Sequence, residues 1–223
     1  MSNMKRMVIT RFLGALLFLC LILFLPAGTI WYWQAWVYLV ILFVPLTLVV
    51  AYLFKYSPDL LERRMRTGEK EPQQRLIVRL GLVSFLIIFA VPGFDRRFGW
   101  SSVPLALVIL SDAIVLAGYA LVAWVFKENP YASRIIEVEK GQTVVTTGPY
   151  RIVRHPMYLG TILMYTFTPL ALGSYWAIIP AVGLLVPLLV ARIINEEEVL
   201  MRELKGYKEY MARTRYRLIP GVW

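Results

Sequence analysis

Phe12 to Phe54 reads FLGALLFLCLILFLPAGTIWYWQAWVYLVILFVPLTLVVAYLF, 43 residues without one charged side chain. A membrane helix needs about 20 apolar residues, so this stretch can supply two. Pro26-Ala27-Gly28 is the natural turn between them. Trp31, Tyr32, Trp33 and Trp36 follow it, like an aromatic belt at a membrane–water interface. Further along, a third span is expected from about Leu76 to Val91 and a fourth from about Val103 to Phe126. Met157 to Ala191 is again free of charge for 35 residues, and Gly173-Ser174 splits it into a hairpin of two short spans. The expected fold is an all-α integral membrane protein of about six transmembrane helices.

Composition agrees. Of 223 residues, 59% are hydrophobic and 17% charged, and the mean hydropathy is +0.63. A soluble domain carries roughly 45–50% apolar and about 25% charged residues. A soluble enzyme, a disordered chain and a disulfide-stapled secreted domain are therefore excluded. The single cysteine, Cys20, cannot close an intramolecular disulfide.

The net charge of +10 is explained by topology. Lys5, Arg6 and Arg11 precede the first span. Lys55, Arg63, Arg64, Arg66, Lys70, Arg75 and Arg79 follow the second. Lys127, Arg134, Lys140, Arg151 and Arg154 follow the fourth, and seven more close the chain. That places 22 of 24 basic residues on one side, with Arg96 and Arg97 opposite. By the positive-inside rule, both termini and the long loops lie in the cytoplasm, as expected for a bacterial inner membrane. The anionic leaflet is partner enough for these charges, and no nucleic acid is needed. The first apolar run continues past Ala27 without a small-x-small cleavage site, so an uncleaved helix is expected rather than a signal peptide.

Two regions follow: 1–126, a four-helix transmembrane part with a cytoplasmic 55–75 segment, and 127–223, a catalytic part. The latter comprises a cytoplasmic linker, the hairpin 157–194, and a C-terminal amphipathic helix and tail. In the 55–75 segment, Ser57 is placed to cap a short helix and Pro58 to begin it. Leu60, Leu61 and Met65 would face the bilayer, as in an interfacial helix.

The linker from Lys127 to His155 is long and polar, and such loops are usually functional. It contains Glu128-Asn129-Pro130-Tyr131, the alternating Ile135, Ile136 and Val138, then Gly141-Gln142-Thr143. Gly148-Pro149 fixes a turn, and Pro156 suits the first turn of the next helix. Arg154 and His155 thus stand beside free helix N–H groups, a ready place for a carboxylate. At the far end of the hairpin come Arg192 and Glu196, one helical turn apart, within Glu196-Glu197-Glu198. Three glutamates beneath a negative leaflet must face basic loop residues or a cationic ligand. Leu200, Leu204, Tyr207 and Met211 form a packing stripe. Asp112 lies mid-span, where a carboxylate either pairs with a neighbouring helix or lines an acceptor cavity.

The run Gly148-Pro149-Tyr150-x-x-x-Arg154-His155-Pro156-x-Tyr158-x-Gly160, then Glu196-Glu197 and Gly206-Tyr207-x-x-Tyr210, resembles the isoprenylcysteine carboxyl methyltransferase family in its small bacterial members. Ser57-Pro58-Asp59-Leu60-Leu61 and Arg217-Leu218-Ile219-Pro220-Gly221 resemble them too. Phosphatidylethanolamine N-methyltransferase is similar more distantly. The resemblance implies S-adenosylmethionine as methyl donor and a lipophilic, membrane-embedded acceptor, such as an isoprenylcysteine-like carboxylate that becomes O-methylated. It implies catalytic roles for His155, Arg154 and Glu197. It implies a cofactor pocket of Gln142, Gly148, Tyr150, Arg154, His155, Tyr158, Leu159, Gly160, Glu196 and Glu197, with no metal. In that pocket Arg154 would take the cofactor carboxylate, a glutamate its amine or ribose, and the tyrosines its adenine or sulfonium. A carboxylate acceptor is already ionised and needs no base; for an amine, His155 is the obvious base.

Two other readings stand beside this one. Tyr216-Arg217-Leu218-Ile219-Pro220 and His155-Pro156-x-Tyr158-Leu159-Gly160 are also similar to sterol reductases, which use a reduced nicotinamide cofactor. Lys205, Lys208, Arg213 and Arg215 could then meet a 2′-phosphate. A non-enzymatic membrane protein is the third reading, although the internal symmetry of a transporter is missing.

Overall fold

The computed structural model describes residues 2–66, 68–69 and 72–223; Lys70, counted above, lies outside them. The chain is helical: α1 (Ser2–Ala27), α2 (Trp33–Tyr56), α3 (Pro58–Met65), α4 (Pro72–Phe98), α5 (Leu105–Glu128), α6 (Pro156–Ala171), α7 (Ile178–Pro180), α8 (Val186–Glu203) and α9 (Tyr207–Arg213). No strand occurs among the described residues. A π turn over Ala181–Leu185 joins α7 to α8 into one run, Ile178–Glu203. It falls between Pro180 and Pro187, where proline removes ladder donors and the helix widens.

Among the described residues, five helices are long and apolar enough to cross a membrane: Asn3–Ala27, Trp33–Tyr56, Gln73–Phe98, Leu105–Glu128 and Ile178–Glu203. The sixth expected span, α6, is only 16 residues, about 24 Å at 1.5 Å per residue. Its length is fixed at both ends. Pro156 begins it, and the turn at Gly173 ends it where the Ser174 hydroxyl donates to buried Asp95 at 2.5 Å. Asp95 also accepts from the Ser101 amide (2.7 Å) and hydroxyl (2.6 Å), so it ties together two loops on the side opposite the termini. The charged ends of α4 extend that span well beyond the expected Leu76–Val91.

The core gathers Leu23, Tyr38, Ile88 and Val115 from four helices with Tyr32 and Leu172 from the loops beside α2 and α6. Elsewhere the surface is apolar. Within α1, protein buries 11% of the most apolar window, so most of that face must meet lipid. Trp31, Trp100 and Trp176 are exposed at the loops opposite the termini, forming the interfacial belt. The tightest crossing is α5 on α6. A Cβ on Gly160 would lie 2.8 Å from the Gly118 carbonyl oxygen, and one on Gly118 would lie 2.7 Å from that of Gly160. Glycine at both positions lets the two backbones touch.

On the side of the termini, α3 buries Leu60 and Leu61 against Leu53, Val125 and Ala132. Its apolar side therefore packs on protein, where an interfacial helix would present it to lipid. Ser57 occupies the cap position of α3 without a side-chain cap bond; its carbonyl accepts from the Leu61 amide instead. Arg11 donates to the Met65 carbonyl at 2.6 Å, and Arg66 pairs with Glu137 (3.0 Å) and Glu139 (2.6 Å), docking α3 under the linker.

Candidate functional site

The linker folds back as turns, with Ile135 and Ile136 buried. Asn129 organises its start. Its side-chain oxygen accepts from the Tyr131 amide at 2.9 Å and its nitrogen donates to the Tyr150 hydroxyl at 2.8 Å. Gly148 opens a 3-10 turn, Gly148–Arg151, with φ of +55°. Any Cβ there would meet Glu128 at 2.5 Å, and Glu128 accepts from Thr147 at 2.7 Å. The conformation and the lack of a side chain are both required at Gly148.

The C-terminal tail then crosses the start of α6. The Arg154 amide donates to the Tyr216 carbonyl and the His155 amide to the Arg217 carbonyl, each at 2.9 Å. This pairing brings two guanidinium groups and an imidazole onto one carboxylate. Glu197, 2% exposed, accepts from Arg154 Nε at 2.7 Å and His155 Nε2 at 3.1 Å through Oε1, and from Arg217 Nε at 2.8 Å through Oε2. Arg154 also donates to the carbonyls of Thr214 (3.0 Å) and Arg215 (2.6 Å). A carboxylate only accepts, so His155 Nε2 carries the proton and Nδ1 is left as the basic nitrogen.

A second network runs alongside. Tyr158 donates to Glu196 at 2.5 Å and accepts from Arg192 at 3.1 Å. Arg192 also reaches Gln74, Glu69 and the Arg134 carbonyl, each at 2.8 Å.

These networks form the walls of a cavity of about 280 Å3, close to the lower end of the roughly 300–1,000 Å3 typical of small-molecule sites. Of the residues named from the resemblance, Gln142, Tyr150, Arg154, His155, Tyr158 and Glu196 line it. Four expected residues stand behind the wall. Gly148 accommodates Glu128, and Gly160 meets Gly118. Leu159 packs beside Tyr158, Ile193 and Leu218. Glu197 holds Arg154 and His155 in place. Arg154 thus spends Nε on Glu197 and Nη1 on the tail carbonyls while still lining the cavity.

Among the lining residues not expected from the sequence, Tyr207 and Arg64 bear most on the chemistry. Tyr207, read from the sequence as packing, is 4% exposed and lines the cavity, and its hydroxyl has no partner among the described residues. Burial pushes its phenol upward, and burial likewise pushes Tyr210 up to about 12, so both remain protonated donors. The Gly206-Tyr207-x-x-Tyr210 motif was the available signal. Arg64 of α3 also lines the cavity. Burial, then neighbouring Arg134, push its guanidinium down to about 10, still charged at neutral pH. Its sequence context showed only a basic helix face. Asp112 is buried and lies outside the cavity, with Oδ1 unpartnered among the described residues. Lys205, Lys208, Arg213 and Arg215 are exposed, and none lines the cavity.

Residues 106–206 match the phospholipid methyltransferase family. The matched region spans α5, the linker, α6 and α8, the segments that build the cavity. That region contains the Gly148–Gly160 run and the Glu196-Glu197 pair that carry the resemblance. No curated protein matches the chain. Among solved structures, a eukaryotic intramembrane Ras methyltransferase, an isoprenylcysteine carboxyl methyltransferase, is similar at 16% identity with a TM-score of 0.41. The match covers 100% of this chain and 87% of that one.

Proposed function

We propose that the chain transfers a methyl group from S-adenosylmethionine to a lipophilic acceptor drawn from the bilayer. The observation that carries this reading is the cavity's composition. Glu196, Tyr150, Tyr158, Tyr207 and Tyr210 line it together with Val122 of α5, Thr161 of α6 and Leu189 of α8. A charged donor and an apolar acceptor would meet in such a cavity.

The residues present fit the donor. Glu196 has a carboxylate in the cavity for an ammonium or ribose hydroxyl. Tyr207 supplies a buried hydroxyl that lacks a partner among the described residues, and such a group costs free energy until it is bonded. First-turn amides of α6, at Met157 and Tyr158, are free of intrahelical acceptors and suit a carboxylate. When bound, the donor supplies an electrophilic methyl on a sulfonium; the acceptor forms the new bond and the C–S pair returns to sulfur. The chain's part is alignment and exclusion of water. Glu197 fixes the rings and guanidinium that shape the wall. For a carboxylate acceptor no proton moves; for an amine, His155 Nδ1 is the base. We place the site in the cytoplasmic half of the protein, in a bacterial inner membrane, following the basic residues.

The test is transfer of labelled methyl from S-adenosylmethionine into organic-extractable material by purified protein. N-acetyl-S-farnesylcysteine serves as the carboxylate probe and native lipid extract as the broad one. Label in either, reduced at least tenfold by Glu196→Gln, is expected. Absence of label in both, with folded protein, overturns the reading.

A further inference from the structure

Two of the four arginines that line the cavity already have their anions. Arg192 is paired with Glu69 and Arg154 with Glu197. Below the linker, Arg66 meets Glu137 and Glu139. Arg64 differs. It lines the cavity, partly buried, yet no carboxylate of the described residues stands within ion-pair distance of it. Its Nη1 donates to the Ser133 carbonyl at 3.0 Å and lies 4.0 Å from the Met157 sulfur. Its guanidinium carbon stands 5.1 Å from the centre of the Phe126 ring. One carbonyl occupies one of five N–H donors. The ring offers a weak attraction. Neither neutralises a charge withdrawn from water, which is costly when unpaired. Arg134, also at the cavity, adds to the positive potential instead of relieving it.

The position of Arg64 says which anion fits. Helix α3 follows the second span directly, and Arg64 reaches the cavity beside Phe126 and Met157, at the ends of α5 and α6. Glu196, Tyr207 and Tyr210 come from the α8 and α9 side. We propose that Arg64 holds the anionic group of the acceptor, a carboxylate or phosphate oxygen, at the membrane edge of the cavity. This rests on the methyltransferase reading given above. A planar guanidinium matches both oxyanions through paired N–H bonds. Arg64 is thus a specificity-determining residue: it selects amphiphiles with an anionic head over neutral ones of equal chain length.

The experiment uses the full chain in detergent. S-adenosylhomocysteine binding is measured by calorimetry. Thermal stabilisation is measured with oleate, oleyl phosphate and oleyl alcohol at equal concentration. In wild type, one or both anions should raise Tm by several degrees more than the alcohol does. Oleate acting alone marks a carboxylate acceptor, oleyl phosphate alone a phosphoryl headgroup, and both together a general oxyanion site; each supports the proposal. Arg64→Gln should abolish the anion preference and keep S-adenosylhomocysteine affinity within threefold. The proposal is overturned if the alcohol works as well as the anions, or if Arg64→Gln retains the preference. It is also overturned if folded Arg64→Gln loses S-adenosylhomocysteine affinity tenfold, since Arg64 would then serve the donor. Should that variant not fold, Arg64→Met, which keeps apolar packing on Phe126, takes its place under the same criteria. Failure of wild type to bind S-adenosylhomocysteine strikes the methyltransferase reading itself and is seen before any variant is made.

Discussion

Glu196 and Glu197 are adjacent in the chain and opposite in role. Glu197 is buried under Arg154, His155 and Arg217, and Glu196 stands in the cavity with Tyr158. Removing one member of a buried ion pair costs about 3–5 kcal/mol, because the others keep their charge without an anion. Glu197→Gln should therefore lower thermal stability markedly in detergent melts. Glu196→Gln should leave the melt nearly unchanged and weaken donor binding at least tenfold. Equal melts for the two variants would contradict the assignment. Tyr207→Phe is a finer test: it removes a buried hydroxyl that the described residues leave unbonded, so stability should hold or rise slightly while S-adenosylhomocysteine affinity falls about fivefold, within the range of one hydrogen bond. The sequence showed three glutamates near the end of a helix and no more. Successive helical residues point about 100° apart, and which direction is inward depends on the tail that pairs with Arg154 and His155, a contact some 60 residues away in the chain. Arg64 was hidden for the same reason: a basic residue on a short helix looks the same whether lipid headgroups or a cavity lie opposite.

At the scale of elements, the punctuation residues were the most legible. Gly148-Pro149 makes a turn and Pro156 starts α6 because each acts on its own backbone. Ser57 failed as a side-chain cap: it precedes α3 without a side-chain cap bond. Helix α3 was read as lying on lipid, and the fold uses Leu60 and Leu61 to pack against α2 and α5 instead. The α5–α6 crossing carries the site, because Val122 on one helix and Tyr158 and Thr161 on the other line the cavity. Gly160→Val should force the backbones apart and cost about 1–3 kcal/mol, the usual range for overpacking. It should also weaken donor binding despite lying outside the cavity wall. A melt and affinity equal to wild type would show that the crossing is more tolerant than its contacts imply.

For the whole molecule, the decisive fact was solvent: apolar side chains exceed what one core can bury, so composition alone identified a membrane protein. Span count was legible to within one, because α6 is shortened by tertiary contacts at both ends rather than by its own hydropathy. Orientation follows from charge. In intact cells carrying the Cys20→Ala form, a membrane-impermeant maleimide should label Arg97→Cys and leave Lys140→Cys unlabelled until the cells are opened; the reverse pattern would invert the topology. The central claim is that the cavity between α6, α8, α9 and the linker holds the methyl donor. Calorimetric titration of the detergent-purified chain with S-adenosylhomocysteine tests it most directly, with Glu196→Gln and Tyr207→Phe in parallel. The account predicts one site of micromolar affinity, weakened at least tenfold and about fivefold in the two variants. No heat of binding to well-folded wild type, or affinity unchanged in both variants, would contradict it.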